Sequence, residues 1–141
     1  MKEKYYLNGG ALPTIPAPHD CVINKAEFDG DCLTFCFNDI SKYDSIKFIR
    51  PKAKSLKIRF HTVLDDGFSA DVYRADPAES GDGNFDFKHI SADEFAALSG
   101  KQLEYLYHYV GYSQIMIKLF YETFYLLDVQ SVDYIEFDWE E

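Results

Sequence analysis

A chain of 141 residues reads as a single domain, 1–141, with residues 1–18 an extended lead-in; that length buries roughly two thirds of the surface exposed by the unfolded chain. It is 47% hydrophobic and 17% aromatic, with 11 Tyr and 12 Phe, which excludes the low-hydrophobicity signature of disorder. Its net charge of -10 argues against nucleic acid and anionic membranes as partners and favours solubility or a basic protein partner.

The N-terminus "MKEKYYLNGGALPTIPAP" has no continuous apolar core of a signal peptide, and no run reaches the length of a membrane span. With three cysteines and no export signal, the reading is a cytoplasmic protein with reduced thiols. Residues 8–18 are rich in Gly and Pro and lack a period. The chain then turns β-rich. Asp29-Gly30 between two apolar alternations predicts a hairpin over Cys21 to Phe37, with Phe28 opposite Asp31. That register puts Val22, Ala26, Phe28, Leu33, Phe35 and Phe37 on the core face. Cys21, Ile23, Lys25, Cys32, Thr34 and Cys36 fall on the other.

"YDSIKFIRP" is expected to supply a short strand that Pro51 ends or forces to an edge. "SLKIRFHTV" alternates Leu56, Ile58, Phe60 and Thr62 against Lys57, Arg59, His61 and Val63. A three-residue loop with Gly67 left-handed would return it as "SADVYR", with Phe60 opposite Val72 and His61 opposite Asp71. Residues 75–84, "ADPAESGDGN", read as a flexible acidic loop. Ser91 and Glu94 form a capping box ahead of Phe95 and Leu98. "KQLEYLYHYV" places Leu103, Leu106, Tyr107 and Val110 on one helical stripe, with Gly111 as its stop. "QIMIKLFYETFYLL" reads as long apolar strand, and Val132 to Trp139 alternates with Ile135, Phe137 and Trp139 inward. The fold class is therefore α+β, mainly antiparallel sheet with one or two helices at about 91–110 packed on one face.

His19-Asp20 could be half of a metal site, but no further ligands stand at metal spacing, and the plainer reading is a turn before a strand. Cys32 and Cys36, four apart on a strand, lie roughly 13 Å from one another, too far to share one zinc ion. "DGNFD" sets Asp82, Asn84 and Asp86 at alternate positions with Asp93 twelfth, like a calcium loop. Phe87 stands where the turn needs glycine. No metal and no cofactor are expected. His61 opposite Asp71 would supply a base-and-orienter pair for a small hydrolase-like enzyme, though no nucleophile motif accompanies it. A cross-strand charge pair is the plainer account.

Charge is lopsided. Lys47, Arg50, Lys52, Lys54, Lys57 and Arg59 occur without an intervening acid, leaving 24 acids against 8 bases, -16, elsewhere. The basic run reads as a guarded edge strand or an anion seat. Asp82, Asp86 and the tyrosines Tyr105, Tyr109 and Tyr112 are candidate partner-binding residues, because tyrosine buries area while keeping its hydroxyl wet.

"PHDCVINKAEFDGDCLTFCF" resembles the first hairpin of several small uncharacterised bacterial families, some grouped with immunity proteins of contact-dependent and polymorphic toxin systems. The resemblance covers the first quarter of the chain. It implies a small, acidic, cytoplasmic, noncatalytic inhibitor that binds a toxin domain, and assigns no residue. A protein-binding module is thus the leading expectation, with the enzyme second and a structural or oligomerisation role third.

Overall fold

The computed structural model describes residues 1–63 and 70–141. Among these, the strands are β1 (Lys2–Tyr6), β2 (Cys21–Ile23), β3 (Lys25–Asp29), β4 (Cys32–Phe37), β5 (Ser55–Thr62), β6 (Ala70–Pro77), β7 (Phe85–Ile90), β8 (Leu103–Gly111), β9 (Gln114–Tyr121), β10 (Thr123–Gln130) and β11 (Val132–Glu140). Helix is confined to a 3-10 turn at Ile40–Lys42, α1 (Asp44–Lys47) and α2 (Ala92–Ala96). The strands form two antiparallel sheets, a five-stranded one in the order β1-β11-β5-β4-β3 and a six-stranded one in the order β2-β8-β9-β10-β6-β7. The protein is largely antiparallel β, with less helix than expected. Among the described residues no helix is long and apolar enough to cross a membrane.

The two sheets share one core. Phe35 and Phe37 of β4 meet Tyr105 of β8 edge to face, with ring centroids 6.4 and 6.1 Å apart. Phe60, Ile117, Leu119, Phe137 and Trp139 join the same buried cluster. Each such side chain contributes roughly 1.5–3 kcal/mol by leaving water.

The first hairpin forms two residues away from the expected register: Phe28 pairs with Leu33 and Asp29 with Cys32. Gly30, at φ 61, occupies the first loop position, where a type II′ turn needs glycine. A two-residue shift leaves every side chain on its face. Ala26, Leu33, Phe35 and Phe37 are accordingly buried. Upstream the pattern inverts, since Cys21 and Ile23 are fully buried while Val22 is half-buried. Asn24 is the reason, because the chain changes sheets there. Its N–H donates to the Cys36 carbonyl at 2.8 Å, its carbonyl accepts from Gly100 at 3.1 Å, and its Oδ1 accepts from the Asn38 N–H at 2.6 Å.

Four further expectations are corrected. "YDSIKFIRP" holds the short helix α1 (Asp44–Lys47) followed by turns rather than a strand, with the Arg50 N–H donating to the Ile46 carbonyl at 2.8 Å; Ile46 turns inward, and Phe48 is 92% exposed rather than sharing its face. Leu103–Gly111 is strand rather than helix. A bulge between Tyr105 and Tyr107 inserts one residue into the two-residue alternation, and that insertion imitates a helical period. "QIMIKLFYETFYLL" folds back at Glu122, φ 62, into the β9–β10 hairpin. Ala75–Pro77 belongs to β6, so the acidic connection spans 78–84. The Gly67 turn lies outside the described residues.

Other local readings hold. Ser91 caps α2 with the full capping box. Leu56, Ile58, Phe60 and Thr62 face inward along β5, as do Ile135, Phe137 and Trp139 along β11. Within the lead-in, residues 2–6 form β1 on the edge of β11. Leu7 and Ile15 anchor the remainder in the core.

Candidate functional site

Because alternate strand residues face opposite sides, the outer face of the six-stranded sheet is built from the residues between the buried ones. Cross-strand register aligns them in rows. One row runs Tyr107, Lys118, Leu126, Tyr73 and His89 across β8, β9, β10, β6 and β7. The next runs Tyr109, Met116, Asp128 and Asp71. Beyond the first row Phe120 faces Phe124, and Ala75 faces Phe87. Phe87, Tyr107 and Tyr109 are 51%, 52% and 60% exposed, so an aromatic surface faces solvent.

The rings stand edge to face. Tyr107 and Tyr109 are 5.4 Å apart at 69°, Phe120 and Phe124 5.2 Å at 64°, and Tyr73 and His89 5.5 Å at 73°. The Lys118 ammonium lies 4.6 Å from the Phe124 ring centroid. This surface is ridged, suited to interdigitating side chains more than to a planar ligand.

Two acids stand directly opposite on this face, Asp71 on β6 and Asp128 on β10. Like charges in that position destabilise a sheet. Asp128 accepts from Gln114 Nε2 at 2.7 Å and from Gln130 Nε2 at 3.2 Å, and Asp71 lies 3.1 Å from His89 Nε2. No lysine or arginine is ion-paired to either acid among the described residues, and a cation from outside would relieve their repulsion.

The expected partner-binding residues divide. Tyr109 lies on this face, and Tyr112, 64% exposed, sits in the β8–β9 turn at its margin. Asp82 is exposed in the 78–84 connection, its carboxyl held below the usual range by hydrogen bonds from Ser80 and Asn84. Asp86 is exposed on β7 but projects to the side opposite Phe85 and Phe87. Tyr105 is no surface residue: it is 1% exposed, and its hydroxyl donates to His108 Nδ1 at 2.6 Å. His108 in turn donates from Nε2 to the Ile15 carbonyl at 3.0 Å, tying the lead-in to β8. Burial drives the Tyr105 phenol well above its ordinary pKa and holds the His108 imidazolium below its own.

His61 and Asp71 do not meet, because β5 and β6 belong to different sheets. His61 stacks on Tyr134, centroids 4.3 Å apart, and burial lowers its pKa. The Asp71 partner is His89. His19 and Asp20 form a turn: Asp20, φ 65, donates its N–H to the Tyr105 carbonyl at 2.8 Å, and the His19 ring bonds the Leu106 carbonyl at the β8 bulge. Cys32 and Cys36 share the outer face of the five-stranded sheet, whereas Cys21 is buried in the other sheet, its thiol pushed up to about 11 by burial. No group of three or more His, Cys, Asp or Glu that could hold a metal ion occurs among the described residues.

The basic run is internally satisfied in part. Arg50 pairs with Glu3 at 2.7 Å, and Arg59 with Glu136 at 3.0 Å and Asp138 at 3.2 Å. Sequence reasoning missed Tyr73, Lys118, Phe120, Phe124 and Leu126 as surface residues. The available signal was that "QIMIKLFYETFYLL" is apolar on both alternations, more than one buried face requires. No protein family, curated protein or solved structure matches the chain.

Proposed function

We propose that the protein is a noncatalytic binding module that docks a basic protein partner on the outer face of its six-stranded sheet. An immunity-type inhibitor, covering the basic surface of a toxin or effector domain, is the concrete form of this reading. The observation that carries it is the exposed aromatic surface around Tyr107 and Tyr109, with Asp71 and Asp128 side by side within it. Contiguous apolar surface of this kind marks interaction sites, and tyrosine is enriched where binding energy concentrates. The acids favour a cationic partner and accelerate its encounter.

The test is capture from the source cell on tagged protein, followed by kinetics on the retained partner. Wild type and Lys57→Ala, altered on the opposite sheet, should retain the same partner. Tyr107→Ala and Tyr109→Ala should weaken it by roughly tenfold or more, mainly through faster release. Asp128→Lys should slow association, and added salt should do the same to wild type. Asp82→Lys, at the margin, should slow it less. Equal retention by all variants, or no partner, overturns the reading.

A further inference from the structure

The six-stranded sheet ends at β7, and the free side of that strand carries its own recognition information. The Ala78 N–H donates to the Asn84 carbonyl at 2.9 Å, so these residues form a hydrogen-bonded pair at the mouth of the β6–β7 hairpin. Pairs alternate along an antiparallel ladder. Asp76 with Asp86 and Arg74 with Lys88 are therefore bonded pairs, while Ala75 with Phe87 and Tyr73 with His89 are not. The N–H and C=O groups of Phe85, Phe87 and His89 consequently point away from β6, to the open edge. The same alternation turns the Ala75 carbonyl toward β10, where it accepts from Thr123 Oγ1 at 2.6 Å.

Other edges are occupied or guarded. On β2 the Val22 N–H donates to the Tyr43 hydroxyl at 3.4 Å, and on β3 the Ala26 N–H donates to Ser99 Oγ at 3.0 Å. β1 presents the exposed lysines Lys2 and Lys4, a common guard against edge pairing. Among the described residues no backbone hydrogen bond reaches the open side of β7, and Phe85 to His89 are all exposed.

We propose that β7 pairs antiparallel with β7 of a second copy about a two-fold axis at Phe87, joining two six-stranded sheets into one. In this register Phe87 meets its own counterpart. Phe85 meets His89 of the second copy and Asp86 meets its Lys88, and symmetry repeats both contacts. Moving the axis by one residue sets Asp86 against Asp86 or Lys88 against Lys88, which like-charge repulsion disfavours. The backbone groups of Phe85, Phe87 and His89 then all lie in hydrogen-bonded pairs. Asp86 has no ion-pair partner among the described residues, and Lys88, whose side chain is 62% exposed, holds only a long 3.9 Å contact to Asp76 that it can exchange for Asp86 of the second copy. Net charge opposes association, but it is screened beyond about 8 Å at physiological salt, whereas cross-strand side chains approach to about 5 Å. The axis is perpendicular to the sheet, so the aromatic faces of both copies lie on the same side.

Sedimentation of purified protein over a range of concentrations tests the pairing without any other partner. Wild type should move from monomer to dimer as concentration rises. Asp86→Lys and Lys88→Glu should each raise the dissociation constant by roughly tenfold or more. Mixing the two variants should restore association, because opposite charges then meet at both contacts; this rescue also shows that both are folded. Wild type that stays monomeric overturns the proposal, as does failure of the mixture to associate. Dimerisation that survives both reversals but is lost in Tyr109→Ala overturns it too, by placing the contact on the sheet face.

Discussion

The two outer faces of the sandwich are made by the same strand alternation and carry opposite chemistry. On the five-stranded sheet, register aligns Lys2, Asp138, Lys57 in one row and Lys4, Glu136, Arg59 in the next. Opposite charges neighbour one another, and Arg59 bridges Glu136 and Asp138 directly. On the six-stranded sheet the rows mix aromatic and aliphatic side chains with fewer charges, and its two central acids neighbour each other. A face whose charges are matched internally has little to gain from a partner. A face with exposed rings and two adjacent acids that no lysine or arginine pairs among the described residues does gain, through buried area and relieved repulsion. That contrast is the reason for placing the proposed docking surface on one side of a molecule whose overall charge is merely acidic.

The comparison is most easily broken with the tyrosines of β8. Tyr105, beneath the aromatic face, fills the core, so Tyr105→Ala should cost about 3–5 kcal/mol in denaturant unfolding. Tyr109→Ala, two outward positions away, should change stability by about 0.5 kcal/mol or less. Similar losses at both sites would show that the outer rings are structural and would remove the case for a docking surface.

A second test sets the faces directly against each other. Glu136 is 9% exposed, so Arg59→Ala strands a nearly buried carboxylate and should cost about 1–3 kcal/mol. Lys118→Ala on the other face removes a cation lying over a ring and should cost about 0.5–1 kcal/mol. If the order reverses, the charged ladder is not the self-sufficient face.

Acid sensitivity gives the smallest expected effect. Burial holds His108 and His61 below the ordinary histidine pKa, so they resist protonation when folded. As pH falls through about 6.5 the unfolded chain takes up protons that the folded chain does not, and stability declines toward the lower folded-state values. Above that pH the contribution is fully present. Unfolding free energies between about pH 7.5 and 5 should show the decline, and His108→Gln should flatten it more than His61→Gln, because His108 is the more buried. An unchanged pH profile in His108→Gln would remove the link from Ile15 to Tyr105 as its source.

Much of the local structure was legible before any tertiary contact was known. The capping box of Ser91 and Glu94, the inward set Leu56, Ile58 and Phe60, and the inward set Ile135, Phe137 and Trp139 are properties of short windows, set by hydrogen-bond reach and the two-residue period. The Gly30 turn is of the same kind, and its two-residue register error changed no face. The site was less legible. Tyr109 and Tyr112, exposed in the structure, were readable as surface candidates, but Tyr105 was not separable from them, since one strand bulge decides which ring turns inward.

What the sequence by itself determined, then, is the acidic, aromatic, strand-rich character of the chain and the inner side of several strands, because charge, composition and alternation are local. Only the tertiary structure decided which strands are neighbours. Asn24 sends the chain from one sheet to the other, as does Ser131 at φ 56 between β10 and β11. The placement of β5 and β6 in different sheets parts His61 from Asp71, the β6–β7 pairing brings His89 to Asp71, and the order of the six-stranded sheet assembles one aromatic face from five strands spread over residues 70–130. Cross-strand pairing joins residues far apart in sequence, and its energy lies in contacts that no short window contains.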